Sequence, residues 1–170
     1  MRTGMNEAWQ VFRQSAGWFG RHSPAVAAFG LLASVQRFTA VCSGKQSSWA
    51  SGAPGELFAA ASRVGFLAWC IRRVFDGSPA PARDVPRRLV RYGREHAGAV
   101  EAGGLLFGAL IVVFKLVPDA VIARMDEDSR KRASAWELAI KNVTIIPFTI
   151  VWIVIGARHA IEAGRPTIRK

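Results

Sequence analysis

Two charged side chains stand inside otherwise apolar stretches of this chain: Arg63 in ELFAAASRVGFLAWCIRRV and Glu101 in AGAVEAGGLLFGALIVVFKLV. A carboxylate in such a setting can relay protons or bind a cation, and a guanidinium there needs a partner to offset its desolvation. If the two stretches are adjacent antiparallel helices, the two groups are expected to pair, with the long arginine stem reaching toward Glu101. One acid and one base make a poor ion pathway, so a structural pair is the stronger reading. His22, His96 and His159 all fall near one expected membrane face. Haem ligation would need histidines deeper in the apolar stretches and opposed to each other. Exposed interfacial histidines are therefore expected. Cys42 and Cys70 fall near opposite faces and are expected as free thiols. No glycine-rich phosphate loop, no His/Cys metal cluster and no serine elbow occurs. No catalytic, metal or cofactor-binding residue is assigned, no cofactor is expected, and an enzyme is not expected.

The element that must organise these groups is the stretch 97–117. It carries no charge from Ala102 to Phe114. At 1.5 Å per residue, about 20 residues cross a hydrocarbon core of roughly 30 Å. Gly104 and Gly108 form a small-xxx-small pair on it, the spacing that lets two helices approach closely. A second such stretch, 142–158, follows RKRASAWELAIKN, and Pro147 should kink it by removing one hydrogen bond and crowding a carbonyl. Asp128 or Ser129 is expected to cap the preceding helix. Two weaker candidates are 24–42, interrupted by Gln36 and Arg37, and 56–74, interrupted by Arg63. Residues 1–23 show Trp9, Phe12, Ala16 and Phe19 at helical spacing and read as an amphipathic helix lying in a membrane interface. The same Arg-bearing, acid-poor segment resembles a mitochondrial presequence.

The expected fold is thus all-α: an N-terminal amphipathic helix (1–23) and a membrane helical domain (24–170). That domain would hold about four spans (24–42, 56–74, 97–118, 142–158) and a long C-terminal helical hairpin. With both termini inside, the inner segments carry more than twice the Lys and Arg of the outer ones, which supports that orientation. The 43–55 loop and the 126–129 turn would then share the outer side. Pro86 after Asp84 reads as a helix start, so the organising helix is expected to extend back toward Pro86.

A formal net charge of +11 on 170 residues would suggest nucleic acid in a soluble domain. In a chain that is 51% hydrophobic the basic flanks are better matched to anionic lipid head groups. Arg72, Arg73, Arg87, Arg91 and Arg94 are the expected head-group contacts, the last three at i, i+4 and i+7 on one face. Cardiolipin or an acidic partner would suit that stripe, and no nucleic acid is expected. Trp18, Trp49, Trp69 and Trp136 fall where an aromatic belt would stand.

Two patches, SRVGFLAWCIRRVF and WELAIKNVTIIPF, resemble the basic amphipathic helix and the Lys-Asn-containing region of the membrane-elongating peroxin family. That resemblance implies membrane shaping in a peroxisomal membrane. The family's Asp-Pro pattern after that region is missing, since Thr144 to Pro147 reads TIIP. From the residues themselves, the leading expectation is a non-enzymatic accessory subunit of a large membrane complex. Its partners would be other membrane subunits and lipids. The expected setting is a respiratory or ATP synthase assembly of the mitochondrial inner membrane, with a bacterial plasma membrane as the alternative. A small transporter using Glu101 and Arg63 is the remaining rival.

Overall fold

The computed structural model describes residues 2–42, 52–77 and 84–164, and over these the chain is helical throughout. The connection 43–51, the prolines at 79 and 81 and the side chains of Arg37 and Cys42 lie outside the described residues. The helices are α1 (Arg2–Arg21), α2 (Ser23–Cys42), α3 (Ala53–Val74), α4 (Val85–Glu95), α5 (Ala97–Ile111), α6 (Val117–Ile122), α7 (Glu127–Val143) and α8 (Ile145–Ala163). A π-helical turn, Val112–Leu116, joins α5 to α6. Pro118 explains the widening. It has no N–H to give and its ring crowds the carbonyl four residues back, so a wider turn lets the helix continue.

Two long rods run antiparallel. In the first, α1 passes into α2 across His22, whose N–H is accepted by the Trp18 carbonyl and whose own carbonyl accepts from Val26. In the second, α7 passes into α8 across Thr144, where φ −114° and ψ −74° mark the bend expected upstream of Pro147. Aromatic and polar contacts fix the register: Phe38 meets Trp136, Phe19 meets Phe148 and Phe12 meets Trp152. Between them, the Ser34 hydroxyl donates to the Ala139 carbonyl at 2.9 Å. The rods touch backbone to backbone at Gly30, where a Cβ would lie 2.7 Å from the Asn142 carbonyl oxygen. Gly4 does the same for α1 on α5, with a Cβ only 2.5 Å from the Gly98 carbonyl carbon. Any side chain at either position would force the helices apart.

Helix α3 packs antiparallel to α2 and alongside α8. The Ser62 hydroxyl donates to the Phe29 carbonyl, Trp69 sits on Trp18, and Arg158 donates to the Val74 carbonyl at 2.7 Å, closing the C-terminal end of α3. The core is Val11, Val26, Phe66, Cys70, Val74, Val151, Trp152, Val154 and Ile155. Each large apolar side chain taken from water there contributes about 1.5–3 kcal/mol.

Among the described residues two helices are long and apolar enough to cross a membrane, Ala97–Ile122 and Glu127–Ala163. They contain the expected spans 97–118 and 142–158. The count of four does not follow. Gly30 and Ser34 place α2 beside Asn142 and Ala139 of α7, whereas Phe107 of α5 lies beside Trp152 of α8. The stretches 24–42 and 97–118 overlap only in part along the bundle axis, for Asp119 lies 3.8 Å from Lys141, next to the Asn142 that Gly30 touches. The apolar stripe of α1 is split: Trp9 and Ala16 are exposed, whereas Phe12 and Phe19 are half-buried against Phe148 of α8. Two local expectations need correction as well. Asp126, not Asp128 or Ser129, caps α7, its carboxylate accepting from the Ser129 N–H at 2.9 Å. And α4 does not run on into α5, because His96 breaks the helix at φ −119°, ψ 36°.

Candidate functional site

Glu7 accepts hydrogen bonds from three side chains, those of Tyr92, His96 and His159. It comes from the first turns of α1, which Gly4 presses against the start of α5. Its Oε1 accepts from the Tyr92 hydroxyl and from His159 Nε2, and its Oε2 accepts from His96 Nδ1, each at 3.0 Å. Tyr92 is on α4, His96 is the break between α4 and α5, and His159 is near the end of α8. One carboxylate thus ties four segments together. Tyr92 stacks flat on His96 at 4.6 Å between ring centres and stands edge-on to His159 at 5.9 Å.

The electrostatics follow from that geometry. Burial pushes the Glu7 carboxyl up, but hydrogen bonds from His159, His96 and Tyr92 pull further the other way, so its pKa falls below the ordinary carboxylate value. With Glu7 ionised, both histidines donate through the nitrogens that face it. Burial, and then the Glu7 hydrogen bond and charge, push Tyr92 up to about 12. Among the described residues no cluster of His, Cys, Asp and Glu has the arrangement of a metal site. Both oxygens of Glu7 already accept hydrogen bonds, so the group acts as a clamp.

Beside the clamp lies an apolar groove of about 340 Å³ between α1, α5 and α8. Tyr92 and Phe107 are among its walls, with the small residues Ala8, Gly103, Gly104 and Gly156 contributed by three helices, and Phe107 meets Trp152 at 6.1 Å between ring centres.

The residues singled out from sequence are distributed differently from the expectation. Arg63 and Glu101 are not brought together. Arg63 donates from Nη2 to the Asn142 side-chain oxygen at 3.2 Å, and its Nε is buried with no partner. Glu101 is exposed on α5, and α3 packs on α2 and α8 instead. Gly104 and Gly108 do not mark a tight contact within the chain, since a Cβ at either meets no atom within 4 Å. The close approaches are at Gly4, Gly30 and Gly164, the last against the Arg88 carbonyl. Arg72 and Arg73 are exposed at the end of α3, and Arg87, Arg91 and Arg94 are exposed along α4. Cys70 is free and buried. His22 stays apart from the other histidines, bonded to the Trp18 carbonyl and stacked on its ring at 4.1 Å.

Sequence reasoning placed His96 and His159 at one face, and missed Glu7. Glu7 is 85 residues from Tyr92 and 152 from His159, so no local spacing links them. The one available signal was its isolation as an acid in a basic amphipathic helix. Comparison of the chain with family models, with curated proteins and with solved structures finds no match.

Proposed function

We propose that the protein is a non-enzymatic structural subunit of a larger membrane assembly, packed on other subunits and on anionic lipid. The observation that carries this reading is the surface of α5 and α6. From Leu105 through Val121 most of its large apolar side chains are exposed, Leu105 by 67% and Val113 by 54%, while Leu106 and Leu110 turn toward the core. A run of this size on a lone water-soluble chain would be an aggregation surface, and in a membrane assembly it is a lipid- or subunit-facing one. The clamp at Glu7 fits a scaffold, since it fastens helix ends and leaves no free reactive atom on the carboxylate.

Two rivals have less support. Transport through an Arg63–Glu101 pair has no geometric basis, because the two groups lie on helices that are not packed together. Membrane shaping through α1 has only part of a face to use, since Phe12 and Phe19 pack on Phe148 of α8 while Trp9 and Ala16 stay exposed. The assembly to look for first is a respiratory or ATP synthase complex of the mitochondrial inner membrane. A photo-crosslinking residue at Leu105 or Val113, in the native membrane, tests the reading. Discrete adducts with other proteins, and migration with a large complex on a native gel, are expected. Purification as a monodisperse monomer with no protein adducts would overturn it.

A further inference from the structure

We infer that the groove between α1, α5 and α8 binds one acyl chain of an anionic phospholipid whose phosphate is held by the arginines of α4. This rests on the membrane reading above and goes beyond it by naming the lipid, its site and the division of labour between tail and head. The lining of the groove selects the occupant: about 340 Å³ walled by Ala8, Val11, Gly103, Gly104, Phe107 and Ile153 suits a hydrocarbon chain. The glycines are what keep it open, for Gly103 and Gly104 leave space where any larger side chain would close it.

The charge beside the groove selects the head group. Tyr92 lines the groove, and Arg91 and Arg94 lie within one turn of it on the same helix. Arg87 and Arg91 line two surface clefts of about 300 and 260 Å³ on α4, with Arg88 in the first and Arg94 in the second. Asp84 and Glu95 are the acids in these clefts, and Glu95 lies 3.8 Å from Arg91. Arg87 and Arg94 have no carboxylate partner among the described residues. Four guanidiniums against two carboxylates leave a surplus of positive charge beside an apolar slot, and guanidinium is the side chain best shaped for bidentate contact with phosphate. A zwitterionic lipid would fill the slot equally well and answer the charge less well.

Native mass spectrometry of the isolated chain, released from nanodiscs of mixed phosphatidylglycerol and phosphatidylcholine, tests this. The wild-type chain should retain one phosphatidylglycerol with a preference of about tenfold. Gly104→Phe places its ring in the groove without meeting backbone, and should lower retention of both lipids about tenfold while helicity by circular dichroism is unchanged. The double change Arg91→Gln, Arg94→Gln should abolish the preference and leave phosphatidylcholine retention intact. Equal retention of the two lipids by the wild-type chain overturns the inference, as does undiminished retention by Gly104→Phe. Displacement of phosphatidylglycerol by inorganic phosphate alone would show a phosphate site without a tail, which also overturns it. The subunit reading fails separately: a chain that forms no complex in its native membrane yet keeps its phosphatidylglycerol loses that reading and retains this one. A chain that stays monodisperse in water without detergent or lipid removes both.

Discussion

Ala97–Ile122 and Glu127–Ala163 are both apolar and long, yet they meet different surroundings. None of the most apolar window of the first is buried inside the chain, against a third of the corresponding window of the second. Helix α8 is wrapped by α1, α3 and α4 and contributes Val151, Trp152, Val154 and Ile155 to the core. Past its first turns α5 keeps Leu106 and Leu110 against the core, and Leu105 and Ile111, with Val112 and Val113 of the π-helical turn, are exposed. Hydropathy reports how badly a surface wants to leave water, and it is silent on whether protein, lipid or another chain covers it. The same composition therefore builds a core in one helix and an outward surface in the other.

The sharpest way to break this contrast is to truncate matching large side chains. Trp152→Ala should cost about 3–5 kcal/mol, because the ring is 8% exposed and bridges Phe12 and Phe107. Leu105→Ala should change stability by less than about 0.5 kcal/mol. Thermal unfolding in detergent measures both, and a large loss at Leu105 would mean that α5 has a buried face not seen here.

Next in size is the clamp that holds the start of α5 to the end of α8. Glu7→Gln should destabilise by about 1–3 kcal/mol, as charge-assisted hydrogen bonds are lost and partly buried partners are stranded. The sign with pH follows. The folded carboxyl sits below its ordinary value of 4.5, so its contribution is present above about that pH and is lost as pH falls through the folded pKa. Tyr92, raised from 10.0 to about 12, acts at the other limit: its contribution is complete below pH 10 and disappears as pH rises toward about 12. A melting temperature that stays flat through both limits in wild type, and matches that of Glu7→Gln, would remove the clamp.

A smaller effect separates Arg63 from Glu101. In a double-mutant cycle Arg63→Ala and Asn142→Ala should couple by about 0.5–1.5 kcal/mol, while Arg63→Ala and Glu101→Ala should add. Coupling to Glu101 instead would restore the charge pair that the sequence suggested. Smallest of all, Gly108→Leu should leave stability unchanged or raise it by up to about 1 kcal/mol, since the new side chain meets open space and helix propensity improves. If that substitution disrupts a larger complex while sparing the isolated chain, the bare face of α5 is a subunit interface.

Much of the architecture was legible in the residues because the forces that make a helix act within a turn or two. The apolar run after Ala97, the bend ahead of Pro147 and the arginine spacing on α4 all depend on neighbours at i+3 and i+4, and the structure has each of them. Capping was nearly legible: the acidic turn at 126–129 was recognised, and the cap fell on Asp126 because its carboxylate reaches the Ser129 N–H. The tertiary structure alone decided what faces what. Two helices with suitable small residues can meet in many registers, and the choice falls where backbones come closest, at Gly4, Gly30 and Gly164 rather than Gly104 and Gly108. That choice set Asn142 in front of Arg63, left Glu101 outside, and gathered Tyr92, His96 and His159 around Glu7. Those contacts join residues far apart in sequence through packing, which no local pattern encodes.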